Sequence, residues 1–392
     1  MDCSLTENEP QQADDKLRFG RLSQTRTFGD GGLRSWSQAV IAIIGAGLIG
    51  GRLAFEAVLS GVGEVLVWDF DRTEVENLGN QFGQPTVPKV TSLVERCNGV
   101  RLGHIRGFCE DIRHAGIRVL TGCDLLVDCS DDPRLAWSLT QISNGLNKPM
   151  LRPAVDGSGE LELGRVLCSS GGAGGACQLC TFSLDDLKRH HQRMHCPNGG
   201  RDDGAPTLAG GPMGATISSL ALLQAQRLVT GNDRELVVDR EIIVDFSHFQ
   251  LLDIRLERSE RCLSGHRSWE LADVDATVGE ATLADLFDVA RGEFGTTDVT
   301  LAGYQHSLNV QAACTCGNVR IAAGTEWAKT PVCNDCRNPM QWLAETQIDR
   351  INQESAAELR VLNTPLAELG YPDGAMFSAR SPGKPVRRLL LR

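Results

Sequence analysis

The stretch that decides the fold is Ala39-Val-Ile-Ala-Ile-Ile-Gly-Ala-Gly-Leu-Ile-Gly50. Its first half is continuously apolar and rich in β-branched residues, which is typical of a strand covered on both faces. The glycines Gly45, Gly47 and Gly50 then permit a tight turn, close approach of the backbone to a phosphate, and close packing of the following helix. We therefore expect a strand, a phosphate-binding turn and a helix that ends near Ser60.

Further strand-like runs follow along the chain. Val65-Leu-Val-Trp68 and Leu125-Leu-Val-Asp-Cys129 are apolar and lead into polar residues. We also expect a long helix over residues 205–231 and a strand-like stretch over residues 240–256. Strands that alternate with helices predict an α/β fold with a doubly wound, Rossmann-like and mostly parallel sheet.

Length and composition suggest how the chain is divided. Its 392 residues are 41% hydrophobic, which is enough for about two or three domains. Residues 1–16 are polar and lack apolar periodicity, so we expect a flexible N-terminal arm. A nucleotide-binding domain is predicted over residues 17–270. The composition changes after Trp269, and residues 271–392 are predicted to form a separate small domain.

Charge and hydropathy exclude several classes of partner. With 39 Lys and Arg against 50 Asp and Glu, the formal charge of −11 gives no general attraction to nucleic acid or anionic lipid. The apolar runs are much shorter than a membrane-spanning helix, and the start of the chain has no features of a signal peptide. We expect a cytoplasmic protein that binds neither nucleic acid nor membrane. Its 14 cysteines then indicate metal ligation or thiol chemistry rather than disulfides.

The nucleotide signal becomes specific only when several motifs are considered together. Asp69, after the second strand, can accept hydrogen bonds from ribose hydroxyls, but with the glycine turn this also fits NAD-binding enzymes. The further motifs are Arg18-Phe-Gly-Arg21, Phe28-Gly-Asp-Gly-Gly-Leu33, Trp68-Asp-Phe-Asp-Arg-Thr-Glu-Val-Glu-Asn-Leu-Gly-Asn-Gln81, Pro88-Lys89, Asp128-Cys-Ser-Asp131, Cys177-Gln-Leu-Cys180, Ala209-Gly-Gly-Pro-Met-Gly214 and Arg258-Ser-Glu-Arg-Cys262. In this order they resemble the ThiF/MoeB/ubiquitin-activating enzyme family over about residues 17–266.

The resemblance implies an activity and a set of site residues. Family members bind ATP and Mg²⁺ and adenylate the C-terminal glycine of a ubiquitin-like or sulfur-carrier protein, releasing pyrophosphate. Asp131 would hold Mg²⁺, and Lys89 and Arg21 would supply the positive charge that attack on an α-phosphate requires. Arg21 would act from across a homodimer interface. The resemblance assigns ATP and magnesium binding to Gly45, Gly47, Gly50, Asp69, Asp71, Asn77, Gln81, Lys89 and Asp131.

One position departs from the family pattern. Asn80 stands where that pattern has an arginine, so a phosphate contact is lost. Arg72 or Arg134 could replace this cation, or adenylation could be slow, which leaves open a catalytically weak scaffold of the same fold. An NAD-dependent oxidoreductase is the least favoured alternative, because hydride transfer has no use for Lys89, Asp131 or the paired cysteines.

Two sets of cysteines have the spacing of zinc ligands. Cys177 and Cys180 form one half of a site, and the resemblance implies a second pair further on, where this chain has Cys262 and His266. This predicts a Cys3His zinc site, against the alternative in which the fourth ligand is missing and zinc binds weakly or is absent. The second set resembles a zinc ribbon in the C-terminal domain and consists of Cys314, Cys316, Cys333 and Cys336.

Cys196 stands apart from both sets. It ends the basic run Lys188-Arg-His-His-Gln-Arg-Met-His-Cys196, at the place where thioester-forming members of the family carry their cysteine. Basic neighbours would favour the thiolate, so Cys196 is a candidate nucleophile. A metal site with His190, His191 or His195, or an idle thiol in a crossover loop, are the alternatives.

The sequence therefore predicts an activating enzyme for a small carrier protein. It would use ATP, Mg²⁺ and Zn²⁺, act as a homodimer, form a thioester on a cysteine, and pass the carrier to a conjugation partner. Activation of a sulfur carrier for thiamine or molybdenum cofactor synthesis remains the alternative within the same family.

Overall fold

The structure, a computed structural model, describes residues 17–157, 160–181, 209–232, 234 and 237–392. The chain forms two compact units. The first contains the residues up to Asp111 and Cys123–Ser268, and the second contains Ile112–Gly122 and Trp269–Arg392. The expected N-terminal arm and Cys196 lie outside the described residues.

An eight-stranded sheet forms the centre of the first unit, in the order β3-β2-β1-β4-β5-β6-β7-β8 among the described residues. Neighbouring strands from β3 to β5 in this order are parallel, and β6, β7 and β8 are added antiparallel. This confirms the predicted α/β fold with a parallel-rich sheet. The strands are β1 Val40–Ile44, β2 Glu64–Trp68, β3 Ile105–Phe108, β4 Leu125–Asp128, β5 Met150–Asp156, β6 Leu163–Ser169, β7 Arg240–Asp245 and β8 Gln250–Arg255.

Helices cover this sheet and close its core. Ser218 Oγ of α6 donates a hydrogen bond to the Ile49 carbonyl of α2 (2.9 Å), and a Cβ at Gly214 would lie 2.4 Å from Leu48 Cγ, so the two helices pack closely. Their apolar faces share one core with strand residues such as Ile41. The helices are α1 Gly29–Gln38, α2 Leu48–Leu59, α3 Lys89–Asn98, α4 Arg118–Thr121, α5 Pro133–Leu146, α6 Gly211–Thr230, α7 Leu283–Phe294 and α8 Gln353–Glu358. Of these, α4, α7 and α8 belong to the second unit.

Two element bounds differ from the sequence-based expectation. The stretch over residues 240–256 is a hairpin of β7 and β8, because its turn has Asp245 accepting hydrogen bonds from His248 N (3.0 Å) and Nδ1 (2.9 Å), and Phe249 has a φ of +53°. This turn contains neither glycine nor proline, the strongest local signals of a turn, and was therefore not predicted. The long helix begins at Gly211 rather than at residue 205 and is terminated by Gly231 with a φ of +77°.

The second unit has its own sheets and core. A four-stranded sheet has the order β10-β15-β16-β9, and a smaller sheet of β11, β12 and β13, with β14 paired to β11, carries the C-terminal cysteines. Helix α7 begins with a capping box between Thr282 and Asp285 and packs its apolar face into the core. The strands are β9 Leu271–Val274, β10 Thr300–Gly303, β11 Leu308–Ala313, β12 Val319–Gly324, β13 Gln341–Trp342, β14 Gln347–Ile348, β15 Met376–Arg380 and β16 Arg387–Leu391.

The segment Ile112–Gly122 joins the second unit although it lies far from the rest of that unit in sequence. Arg118 N donates to the Gly374 carbonyl (3.2 Å), and the Arg118 guanidinium donates to the Leu390 carbonyl (3.1 Å). Gly116 has a φ of +45°, and a Cβ there would lie 2.1 Å from the Asp373 carbonyl oxygen. Backbone-directed contacts of this kind leave no pattern in the sequence.

In the part of the chain that the structure describes, no helix is both long enough and apolar enough to cross a membrane.

Candidate nucleotide site and metal centres

The glycine turn has the close contacts that the sequence suggested. Gly45 has a φ of +98°, and a Cβ on it would lie 2.8 Å from the Cys129 carbonyl oxygen. A Cβ on Gly50 would lie 1.9 Å from the Gly45 carbonyl oxygen, whereas one on Gly47 would have no atom within 4 Å. Gly47 is also the N-cap of α2 and supplies no side-chain cap. The first N–H groups of α2 therefore begin beside open space, an arrangement suited to a phosphate.

Asp69 supports this turn. Its Oδ2 accepts a hydrogen bond from Ala46 N (2.7 Å), and its Oδ1 accepts one from Asp71 N (2.8 Å). Burial raises the pKa of Asp69, and these backbone hydrogen bonds act against that shift. Each carboxylate oxygen keeps a lone pair, so Asp69 can fix the turn and also accept a ribose hydroxyl.

Lys89 and Asp71 form an ion pair at the same edge of the sheet. Lys89 Nζ lies 3.0 Å from Asp71 Oδ2, and Lys89 N donates to the Asp71 carbonyl (3.0 Å). Lys89 is the first residue of α3, so its backbone position is fixed by the helix. A bound phosphate would compete with Asp71 for the ammonium group.

Asn77 and Gln81 lie in the loop after β2. Glu74 N donates to Asn77 Oδ1 (3.2 Å) in a capping box of the short helix Val75–Gly79. Gln81 N donates to the Asn77 carbonyl (2.9 Å), and Gln81 Oε1 is buried without a hydrogen-bond partner among the described residues. Asn77 therefore has a structural role, and Gln81 presents an unused acceptor.

The structure places a cation near Asn80 that sequence reasoning missed. Arg72 donates to the Thr86 carbonyl (2.6 Å), and Arg134 lies beside Asp132. The guanidinium beside Asn80 is that of Arg52 on α2, whose Nη2 lies 3.5 Å from the Asn80 carbonyl oxygen. The sequence offered one signal for it, because Arg52 follows the glycine turn on the same helix.

Asp131 and Arg21 are both exposed. Asp131 lies immediately before Asp132, whose side chain accepts a hydrogen bond from Arg134 N and caps α5. An exposed carboxylate on a loop at the carboxyl edge of β4 is a suitable oxygen ligand for Mg²⁺. Arg21 directly precedes the short helix Leu22–Gln24, and its side chain makes no capping hydrogen bond to that helix.

The first cysteine set converges on one point. Cys177 Sγ lies 3.9 Å from Cys180 Sγ, 3.6 Å from Cys262 Sγ and 3.7 Å from His266 Nε2. In a tetrahedral site with Zn–S bonds of about 2.3 Å, ligand atoms are about 3.8 Å apart. The four ligand atoms all lie within 4.8 Å of one another, so this set can hold a metal ion.

Local backbone conformation brings His266 into this first set. Gly265 and His266 have φ values of +67° and +44°, and Ser264 Oγ lies 3.2 Å from Cys262 Sγ. A hydrogen bond with Cys177 lowers the pKa of Cys262 to about 7, which makes its thiolate accessible near neutral pH. The geometry favours the predicted Cys3His ligand set over a site with three ligands.

The second set lies in the small sheet of the second unit. Cys314 Sγ is 3.3 Å from Cys336 Sγ, and Cys316 Sγ is 3.6 Å from Cys333 Sγ. Hydrogen bonds from backbone groups lower the pKa of Cys333 to about 6, and the largest effect comes from the backbone of Cys336. The four sulfur atoms lie within 4.8 Å of one another and can also hold a metal ion.

Comparison with protein families identifies the first unit. Residues 19–264 match the model of the ThiF family. The chain belongs to this family. The match includes the glycine turn and three residues of the first cysteine set, Cys177, Cys180 and Cys262, which confirms the resemblance inferred from the motifs.

Curated relatives share the same part of the chain. It is 25% identical over 265 residues to the adenylyltransferase and sulfurtransferase MOCS3 of Drosophila grimshawi, covering 66% of this chain and 55% of that protein. It is 24% identical over 234 residues to MOCS3 of Dictyostelium discoideum, covering 58% and 52%. The ThiF-family chain thus spans about half the length of these relatives.

Solved structures share the fold. The E. coli MccB structure with MccA-N7isoASN has a TM-score of 0.52 at 15% identity and covers 64% of this chain and 75% of its own. The microcin C7 biosynthetic enzyme MccB in complex with N-formylated MccA has a TM-score of 0.52 at 16% identity, covering 65% and 77%. At these identities the likeness shows the fold alone.

Proposed function

We propose that this ThiF-family protein is an adenylyltransferase that uses ATP to activate the C-terminal glycine of a sulfur-carrier or ubiquitin-like protein. The observation that carries the proposal is the uncapped start of α2 beside open space at Gly47, with Asp69 fixing the turn. Support also comes from the relatives named as adenylyltransferase and sulfurtransferase. Those names favour the sulfur carrier, while the conjugation pathway is the second candidate.

The proposed reaction is attack by the carrier carboxylate on the α-phosphorus of ATP. A bond forms between the carboxylate oxygen and the α-phosphorus, and the bond from that phosphorus to the bridging oxygen breaks, so that pyrophosphate leaves. Mg²⁺ would neutralise charge on the phosphates. The N–H groups of α2 would orient the phosphates, Lys89 would exchange Asp71 for a phosphate oxygen, and Asp131 would hold the metal.

Asp131→Ala is expected to weaken Mg²⁺-dependent ATP binding and to lower pyrophosphate exchange by about 100-fold or more, because developing charge loses its metal. Calorimetry with ATP, Mg²⁺ and NAD, together with exchange in the presence of a glycine-ending carrier, tests this. Asp253→Ala, which removes an exposed carboxylate of the same unit that pairs with Arg240 (2.7 Å), is the matched control and should leave both unchanged. Preferential binding of NAD would contradict the proposal.

The scaffold alternative depends on Asn80. Arg52 places a guanidinium beside that residue and lies over the Phe82 ring at 5.5 Å, and its Nε is buried without a hydrogen-bond partner among the described residues. We propose that Arg52 replaces the family arginine as the phosphate cation. Exchange activity in the wild-type protein would exclude the scaffold.

Cys196 is proposed as the residue that captures the activated carrier, on its sequence position alone, since it lies outside the described residues. An acyl-adenylate is already activated, so a thiolate can displace AMP and form a thioester. Cys196→Ala should preserve pyrophosphate exchange and abolish a thiol-sensitive carrier adduct on non-reducing gels. An adduct that persists in Cys196→Ala would place the thioester elsewhere or remove the step.

Further parts of the proposal concern assembly and metals. We propose a cytoplasmic homodimer in which Arg21 reaches the partner's nucleotide, and a transfer partner recruited by the second unit. Thiolate-rich, tetrahedral sites favour zinc at both cysteine sets over magnesium or calcium.

A further inference from the structure

A second charged pair, Asp128 and Arg152, lies at the carboxyl edge of the main sheet. Its residues are on β4 and β5, the two strands that follow β1 in the order of the sheet. Asp128 ends β4, and Arg152 lies beside it on β5, since Val127 pairs with Leu151 in parallel register. Asp128 is 1% exposed and the Arg152 side chain 14% exposed. Burying two charges is costly, so such a pair in this location calls for a functional explanation.

The contact within this pair is incomplete. Arg152 Nε lies 3.3 Å from Asp128 Oδ2, but the contact lacks hydrogen-bond geometry, and Oδ2 has no hydrogen-bond partner among the described residues. Asp128 Oδ1, in contrast, accepts hydrogen bonds from Ser130 N (3.0 Å) and Ser130 Oγ (2.6 Å). Ser130 therefore fixes the orientation of the Asp128 carboxylate. Arg152 is attracted to that carboxylate by its charge but does not form the bidentate pair that would use its guanidinium N–H groups.

The strand order places Arg152 relative to the proposed ATP site. Asp69 follows β2, the glycine turn follows β1, Asp131 follows β4, and β5 is the next strand along the same edge. Gly45 packs against the backbone of Cys129, the residue after Asp128. With the ribose at Asp69 and the phosphates at the glycine turn, the position at β5 lies beyond the phosphates, away from the ribose.

We propose that Arg152 binds the C-terminal carboxylate of the protein to be adenylated. This inference rests on the proposed function and adds a subsite for the acceptor. A carboxylate that approaches the negative phosphates needs a cation to hold it there. Once its oxygen has bonded to the α-phosphorus, the acyl group is neutral and the released charge leaves with pyrophosphate. Arg152 then loses its anionic ligand and keeps Asp128 as its partner.

The test measures binding and not turnover. A short synthetic peptide ending in Gly-Gly, with either a free carboxylate or a C-terminal carboxamide, is titrated by calorimetry into protein loaded with α,β-methylene-ATP and Mg²⁺. We expect the wild-type protein to prefer the carboxylate by about tenfold or more, as for a charge-assisted pair. Arg152→Met combined with Asp128→Asn, which leaves no unpaired buried charge, should abolish that preference, and Arg152→Lys should keep part of it.

Matched controls separate this effect from others. Arg240→Met removes an arginine of the same sheet that pairs with Asp253 (2.7 Å) and should change nothing. Wild-type protein without a carboxylate preference, or a double variant that retains one, would overturn the inference. The inference would also be overturned if the double variant lost affinity for α,β-methylene-ATP but kept the carboxylate preference, because Arg152 would then be a phosphate ligand. Absence of pyrophosphate exchange with an intact carboxylate preference would instead count against the proposed function.

Discussion

Gly50→Ala is expected to abolish ATP binding. The new Cβ would lie 1.9 Å from the Gly45 carbonyl oxygen and 3.1 Å from Cys129 Cβ. A backbone oxygen cannot rotate away as a side chain can, so the turn must move relative to α2. A displacement of this size at a binding turn costs about 100-fold in affinity or more. Calorimetry with ATP and Mg²⁺, together with thermal unfolding, measures both effects.

Gly292→Ala is the matched control for this change. It adds the same methyl group at an exposed position of α7 in the second unit, where no atom lies within 4 Å. It should bind ATP as the wild-type protein does and unfold at no lower temperature, because alanine is favoured over glycine inside a helix. If Gly50→Ala binds ATP as well as Gly292→Ala does, the glycine turn is not the phosphate site.

Removal of zinc is the second change with a large expected effect. Elemental analysis should find about two zinc ions per chain, one for each cysteine set. Strong chelation is expected to unfold the small sheet of the second unit, because metal binding contributes roughly 10 kcal/mol to domains that bury little apolar surface. The buried cluster around that set is small, with Cys314, Cys333, Ala312 and Met340 as its buried members.

Single substitutions assign the two ions. Cys333→Ser should remove one zinc and loosen the second unit, and His266→Ala should remove the other. Ser264→Ala is the control for the first set, because Ser264 Oγ lies 3.2 Å from Cys262 Sγ but Ser264 is not one of the four ligand residues of that set. A metal content that His266→Ala leaves unchanged would exclude the Cys3His site.

The sequence was most informative where chemistry depends on residue type. The glycine turn needs three small residues at fixed positions, and a metal site needs thiolates or imidazoles at short spacing, so both leave a pattern. His266 was predicted in this way although the family pattern has its second cysteine one residue earlier, where this chain has Gly265, because the spacing of His266 from Cys262 suits a zinc ligand.

Contacts between distant segments could not be predicted in the same way. Arg152 looks like an ordinary arginine in the sequence, and the only signal for Arg52 is its place on the helix after the glycine turn. The fold brings Arg52 to Asn80 and Arg152 to Asp128. The role of Asn77 as a capping residue also depends on its neighbour Glu74. Cys196 remains a prediction, because it lies outside the described residues.

The contribution of Ile112–Gly122 to the second unit has a consequence for how the protein can be divided. A gene fragment that begins at Trp269 encodes every residue of that unit except this one segment, and therefore lacks Arg118 and its hydrogen bonds to the Gly374 and Leu390 backbone. During translation, Ile112–Gly122 leaves the ribosome long before the residues of the second unit that it contacts, and it can pack against them only after they have been synthesised. The second unit can be completed only after β16, Arg387–Leu391, has been synthesised, because that strand pairs with both β15 and β9.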